Sequence, residues 1–314
     1  MKTGTLLNVG SLSLLLWIAP VVFGEFYSED FNVDNTSNWT INDPGVTDIT
    51  VDFFYDYSAI GVQSAPNGSG TRGLKMTANN RDGIFGGFSV SPTGQSFAGD
   101  YIVTFDMWCN YVGPLGPGGS GTTQLSMMGI GTAGNVAVWP GSDPKESVMF
   151  ATSLDGGSSA DFRVYSSDFP FAHPNGDPVY AAPGGDRNGS NAYYATMGGE
   201  SAPAAQLALF PGQTGVTDSG EPSFAWREIT IDVNNDVARW LIDGLLIASI
   251  DMTDLTLGGG NILFGHSDTN NTSSTDPNRI LLNATLIDNI KVVPEPGSLA
   301  LVALGGFVLL RRRR

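Results

Sequence analysis

The chain is poor in the residues that most often form cross-links or carry out chemistry. Its 314 residues include one cysteine and two histidines. A single cysteine excludes an intramolecular disulfide and a cysteine metal cluster, and two histidines leave few candidates for a histidine-dependent active site. Cys109 lies in the apolar pattern Met107-Trp108-Cys109, which is typical of a small buried residue rather than a reactive thiol.

Basic residues are also scarce. The chain has 15 Lys+Arg against 31 Asp+Glu, and residues 25–293 alone keep 10 against 30. A surface this acidic disfavours nucleic acid and anionic membrane surfaces as partners. We therefore expect no nucleic-acid partner, and divalent cations are better candidates for binding to this acidic surface.

Long hydrophobic runs are missing, but a short one lies near each end. At the N terminus, Lys2 precedes a leucine-rich run from Leu6 to Ile18, and Val22-Phe23-Gly24 offers small residues before Glu25. This pattern predicts a signal peptide over residues 1–24. A retained N-terminal helix is the alternative, although the run is too short to span a bilayer comfortably.

The C terminus has three parts in a fixed order. A proline-flanked glutamate comes first, then an apolar run from Gly297 to Leu310, then a basic cluster. The first part is Pro294, Glu295 and Pro296, and the basic cluster is Arg311, Arg312, Arg313 and Arg314. As a helix the run would reach about 21 Å, short of the hydrocarbon core of about 30 Å. The arginines favour keeping that end in the cytoplasm. An ordinary tail anchor is the alternative.

This order resembles the bacterial PEP-CTERM sorting signal. The resemblance implies an exosortase-type sorting enzyme as partner and only transient anchoring in the inner membrane. It also implies export to the cell envelope surface or an extracellular matrix. We divide the chain into a signal peptide (1–24), a body (25–293) and a sorting tail with a short membrane segment (294–314).

The body has the period of β-strands. Tyr101, Val103, Phe105 and Met107 alternate with more polar residues, as do the apolar residues that follow Trp226. The turns 234–236 and 243–244 predict a series of hairpins from residue 226 to 250. The pattern predicts an antiparallel all-β domain without long amphipathic helices.

Three short segments resemble concanavalin A-like jelly rolls, the fold of laminin G and legume lectin domains. They are the strand-turn-strand Trp240–Ile247, the opening Glu29-Asp30-Phe31 and the closing Ile287–Val292. The resemblance implies a jelly-roll β-sandwich with two stacked antiparallel sheets, one of them concave. It also implies that the first and last strands are adjacent.

A calcium site is the best-supported metal hypothesis. Asp30-Phe31-Asn32-Val33-Asp34 has the alternating oxygens with which calcium loops begin, but Asn35 and Ile41 stand where an EF-hand needs glycine and glutamate. The jelly-roll resemblance implies a structural calcium near the final strand, held by Asp30 and Asp288. Alternatively, both residues cap strand ends.

Glycan binding would require exposed aromatic rings. Trp139, which precedes Pro140-Gly141, is the first candidate because it lies at a predicted strand end, and Trp39 is the second. Trp108, Trp226 and Trp240 lie within alternating strands and are assigned to the core.

A catalytic site has little support in the sequence. The Glu-x-Asp-x-x-Glu pattern of jelly-roll glycosidases is absent, as are Walker, dinucleotide and Gly-x-Ser-x-Gly motifs, so we name no catalytic residue. The expected function is a non-catalytic glycan-binding or matrix protein at the cell surface, with extracellular polysaccharide as partner. A polysaccharide hydrolase or lyase and a purely structural surface protein are the alternatives.

Overall fold

A computed structural model describes residues 25–45, 48–79, 85–113, 124–142, 146–154, 159–169, 171–268 and 276–295. The predicted signal peptide, the apolar run and the terminal arginines lie outside these residues. The strands are β1 (Tyr27–Glu29), β2 (Trp39–Asn42), β3 (Ile49–Asp56), β4 (Arg72–Ala78), β5 (Gly86–Pro92), β6 (Tyr101–Asn110), β7 (Gln124–Thr132), β8 (Val148–Ser153), β9 (Phe162–Tyr165), β10 (Trp226–Asn234), β11 (Val237–Ile242), β12 (Leu245–Asp251), β13 (Asn261–Asp268) and β14 (Ala284–Pro294). Two short helices, α1 (Ala204–Leu209) and α2 (Arg279–Leu282), lie in the connections.

Within the described ranges the strands form two antiparallel sheets. The larger sheet has the order β12-β11-β10-β6-β14-β4-β3, with β1 also paired to β14, and the smaller has the order β2-β5-β13-β7-β8-β9. The prediction of an all-β antiparallel jelly-roll sandwich is confirmed. The first and last strands are adjacent, since Tyr27 pairs with Val292 and Glu29 with Ile290.

The main core lies between the sheets. Phe105 of the larger sheet meets Phe264 of the smaller one edge-on, with ring centroids 5.0 Å apart. Trp240 stacks on Phe150 at 5.3 Å, as expected for a core tryptophan. Cys109 is buried in the same layer, its Sγ 3.1 Å from Oγ of Ser126, and burial raises the pKa of its thiol to about 12. The thiol is therefore neutral and shielded, as the sequence predicts.

The hairpin series follows the predicted turns. Asn235 and Asp236 have φ values of 50° and 59°, and Asp243 and Gly244 have 50° and 78°. These left-handed conformations suit tight turns between antiparallel strands, and Asn, Asp and Gly adopt them at the least cost. The three strands β10, β11 and β12 consequently pair in sequence order.

Candidate functional site

The outer face of the larger sheet carries a paired row of aromatic and acidic side chains. On β6 and β10, Trp108 lies opposite Trp226 and Asp106 lies opposite Glu228. Asp288 of β14 continues the acidic row on the other side of Asp106. Residues two apart on a strand point to the same face, so two tryptophans lie beside three carboxylates on one face of the sheet, partly covered by loops.

A groove of about 550 Å³ opens beside the two tryptophans. Its aromatic lining is Trp108, Trp226 and Phe224, and two loops supply its other walls, with Gln63, Ser64 and Pro66 from one and Glu200, Ser201 and Pro203 from the other. Trp108 is 4% exposed, whereas Trp226 is only partly buried. Trp226 is therefore the tryptophan of this pair that can meet a ligand.

Hydrogen bonds and packing hold the groove in place. Trp226 Nε1 donates to the Gln63 carbonyl oxygen at 2.8 Å, which ties the indole to one wall. The guanidinium of Arg227, itself 7% exposed, donates to Glu200 at 2.6 Å and to Asp243 at 3.1 Å. The guanidinium is therefore fully engaged by Glu200 and Asp243, and the walls of the groove are ordered without a ligand.

The Trp226 ring is also fixed by neighbouring rings. It meets Tyr57 edge-on at a centroid distance of 5.2 Å and Trp108 at 5.8 Å. Edge-to-face contacts of this kind fix ring orientation and add about 0.5–1.5 kcal/mol each beyond burial. One side of the indole is therefore packed against protein, while the rest of the side chain borders the groove.

The central carboxylate of the acidic row is saturated with donors. Asp106 is fully buried and accepts from the Asn67 amide nitrogen at 3.1 Å, from Asn67 Nδ2 at 2.7 Å and from Asn289 Nδ2 at 2.7 Å. Its neighbour Glu228 is exposed and accepts from Asn67 Nδ2 at 3.1 Å. Glu228 is thus the member of this pair that can contact a ligand.

The predicted calcium ligands lie at one end of the same row. Asp288 is 1% exposed, and its oxygens accept from the Tyr57 hydroxyl at 3.0 Å and the Asn289 amide at 2.7 Å. Burial raises the pKa of Asp288 to about 7, with contributions from Asp106 and Asp30. Asp30 is exposed and accepts from the Asn32 amide at 3.1 Å.

These contacts fit a calcium ion poorly. A hard cation needs free oxygen lone pairs, whereas N–H and O–H groups already point at both oxygens of Asp288. Among the described residues, no group of three or more His, Cys, Asp or Glu side chains could hold a metal. Calcium binding by Asp30 and Asp288 stays a prediction, and a mainly hydrogen-bonded role for Asp288 agrees better with its surroundings.

The expected exposure of Trp39 and Trp139 is wrong. Trp39 is 7% exposed and stacks between Phe31 at 5.6 Å and Phe53 at 5.1 Å. Trp139 is 6% exposed, packs with Phe85 at 5.1 Å, and belongs to a second cluster on the outer face of the smaller sheet. Neither ring has a free face for a sugar, because each fills a hydrophobic cluster.

The groove residue that sequence reasoning missed is Trp226. The alternation in β10 contains the necessary signal, because Ile229, Ile231 and Val233 point inward and Trp226 has the opposite parity. The same parity places Trp108 with Asp106 rather than with Phe105. The core assignment holds for Trp108 and Trp240, which are 4% and 0% exposed, but for Trp226 it ignored which face of the strand the residue occupies.

A second polar cluster resembles a catalytic triad but lacks an available nucleophile. Ser166 Oγ is 2.9 Å from His173 Nε2, and His173 Nδ1 is 3.0 Å from Asp177 Oδ2. However, Ser166 is fully buried and donates its one hydroxyl proton to Asp168 at 2.5 Å. Nucleophilic attack requires an accessible oxygen whose proton the histidine can accept, so this network fits a structural role.

The sorting motif begins inside the fold. Pro294 is the last residue of β14 and pairs with Tyr101, and the Glu295 amide donates to the Asp100 carbonyl at 3.2 Å. The other predicted motif residues, Pro296, Arg311, Arg312, Arg313 and Arg314, lie outside the described residues. Across the part of the chain that the structure describes, helices are too short or too polar to cross a bilayer.

Sequence comparison identifies the tail. The PEP-CTERM protein-sorting motif matches residues 292–314. The chain is therefore an exported protein that is sorted to the cell envelope through its C terminus, and the motif implies an exosortase-type processing partner. No curated protein matches the chain significantly.

Structure comparison finds β-sandwich proteins at low sequence identity. A protein with a galectin-like fold from Bacillus subtilis shares 11% identity at a TM-score of 0.46, covering 87% of this chain and 98% of its own. A β-glucanase from Bacillus licheniformis shares 12% identity at a TM-score of 0.39, covering 87% of this chain and 99% of its own. An endo-β-1,4-glucuronan lyase from Trichoderma reesei shares 9% identity at a TM-score of 0.41, covering 87% of this chain and 96% of its own.

Proposed function

We propose that this exported protein binds a glycan in the groove beside Trp226, without cleaving it, at the cell surface or in the extracellular matrix. The observation that carries the proposal is the groove itself, in which a partly buried tryptophan borders a pocket of about 550 Å³. An amphipathic ring can cover the apolar face of a sugar while polar neighbours bind its hydroxyls. Gln63, Ser64 and Ser201 are such neighbours.

The charge of the groove favours a neutral or amine-bearing glycan. Among the described residues that line it, the charged side chain is Glu200. Arg227, the nearby cation, is buried and paired with Glu200 and Asp243. Among the described groove residues, a polyuronate or sulfated glycan would meet the Glu200 carboxylate and no unpaired cation. An amino group could instead approach the indole face, or Glu228, which lies outside the groove lining on the same face of the sheet.

The contacts of the acidic row favour binding over hydrolysis. Glycosidases need two carboxyl groups that can reach the scissile bond, one as acid and one as base or nucleophile. Glu228 is exposed, but its neighbour Asp106 is buried beneath Asn67 and Asn289. One carboxyl group of the pair is therefore withheld from a substrate.

A glycan array with the purified exported protein tests the proposal. We expect retention on neutral or amine-bearing glycans, weaker retention on polyuronates, and loss of retention in Trp226→Ala. Tyr193→Ala is the matched control, because Tyr193 is also a partly buried aromatic residue but does not line the groove.

The array also separates the alternatives. Binding to no glycan would contradict the proposal and favour a purely structural role. Release of shorter saccharides from a bound polysaccharide would instead favour a hydrolase or lyase.

A further inference from the structure

The last strand connects the sandwich directly to the sorting tail. The matched motif starts at residue 292, while β14 continues to Pro294. Along this overlap β14 is held from both sides, by β6 through Val292 and Val293 and by β1 through Val292. The hydrogen bond from Glu295 to Asp100 extends this attachment by one residue.

The sequence leaves little chain between this attachment and the apolar run. Only Pro296 separates Glu295 from Gly297, where the run begins. Two residues span at most about 7 Å when fully extended. A membrane-inserted run would therefore hold the end of β14 close to the bilayer surface.

The start of the described chain lies at the same end. The Phe26 amide donates to the Val292 carbonyl at 2.8 Å, so Glu25 lies near the exit of β14. The predicted signal peptide ends at Gly24, so the chain that follows it joins the sandwich at the same end. The described residues that connect to the two apolar segments of the sequence, Glu25 and Glu295, thus lie at one end of the sandwich.

Other elements define this end, which we call the tethered end. The Asn235 amide in the β10–β11 turn donates to Asp100 at 3.0 Å, and the Met252 amide after β12 donates to the Asp236 carbonyl at 2.7 Å. Asp236 and Asp254 are exposed here. The tethered end therefore presents the carboxylates of Asp236 and Asp254 to the solvent.

We infer that, while the tail is in the membrane, the sandwich stands end-on, with its tethered end facing the lipid surface and its groove held away from that surface on the side of the sandwich. The Trp108–Trp226 pair is seven residues along β6 from the Tyr101–Pro294 pair, or about 23 Å. Lying flat would bring more of the acidic surface within the Debye length of about 8 Å of an anionic bilayer. The short connection between Glu295 and the apolar run and the repulsion between the acidic surface and the bilayer therefore both favour the end-on orientation.

Fluorescence quenching in vesicles tests the orientation. The full chain is inserted into phosphatidylethanolamine–phosphatidylglycerol vesicles that contain a nitroxide-headgroup lipid, after labelling at Asp254→Cys or Ala208→Cys. Ala208 is exposed on α1, whose Gln206 side chain donates to Asn110 Oδ1 at 3.0 Å at the far end of β6. The native Cys109 is buried, so unmodified protein controls for background labelling.

We expect several-fold stronger quenching at Asp254→Cys than at Ala208→Cys. A Gly/Ser spacer of about 20 residues between Glu295 and Pro296, with a root-mean-square reach of about 25 Å, should weaken the quenching and reduce the difference. Equal quenching at both sites without the spacer would overturn the inference. Failure of the full chain to float with the vesicles would overturn it as well.

Discussion

Replacing Asp288 by asparagine should remove a pH-dependent component of the stability of the sandwich. Burial raises the pKa of Asp288 from 3.8 to about 7, and the hydrogen bonds from Tyr57 and Asn289 only partly oppose this. The folded protein therefore holds this proton more tightly than the unfolded chain does. The stabilisation is complete below pH 3.8 and is lost as the pH rises through about 7.

The size of the effect follows from linkage. For a shift from 3.8 to about 7, the contribution of Asp288 to the free energy of unfolding falls by about 2–3 kcal/mol between pH 5 and pH 8. Asparagine cannot ionise, so the variant lacks this component. It also keeps a side-chain carbonyl that can accept from Tyr57, which limits the loss of packing and hydrogen bonding.

Guanidinium denaturation from pH 5 to pH 8 measures this component. The stability of wild type relative to Asp288→Asn should decrease with pH by about 2–3 kcal/mol, and the exposed-site control Asp254→Asn should show a much smaller change relative to wild type. A constant difference between wild type and Asp288→Asn at all pH values would refute the reasoning.

The remaining predictions concern calcium, the core and the tail. Because the oxygens of Asp288 already accept hydrogen bonds, we expect little calcium-dependent rise in the wild-type melting temperature; a rise that Asp288→Asn abolishes would instead establish the predicted ion. Trp139→Ala should cost about 3–5 kcal/mol of stability, as for a buried tryptophan, and a nearly unchanged melting temperature would contradict its packing. Deleting residues 296–314 should move the protein from the envelope fraction to the soluble exported pool, and unchanged fractionation would contradict tail-dependent sorting.

Local patterns predicted the strands well. The hairpins from Trp226 to Asp251 follow the predicted turns because strand periodicity and the backbone preferences of Asn, Asp and Gly act within a few residues. The pairing of β1 with β14 joins distant segments, and it was anticipated only through resemblance to a known fold.

The tryptophans show where local patterns fail. Pro140-Gly141 suggested a rim position for Trp139, yet the segment folds back over Leu125 and Met127 on the outer face of the smaller sheet. That coverage also depends on segments far from Trp139 in the sequence, since Leu263 belongs to the same cluster and the Phe85 ring packs on Trp139. Trp226 differs, because strand parity already placed it outside the main core, although the loops that turn its surroundings into a groove could not be inferred.

Titration of the tightest-binding array glycan into wild type and Trp226→Ala tests the central claim most directly. We predict that the variant keeps its fold and binds about tenfold or more weakly, because it loses the principal aromatic surface of the groove. Tyr193→Ala should bind like wild type. Equal affinity of Trp226→Ala and wild type would contradict glycan binding in this groove.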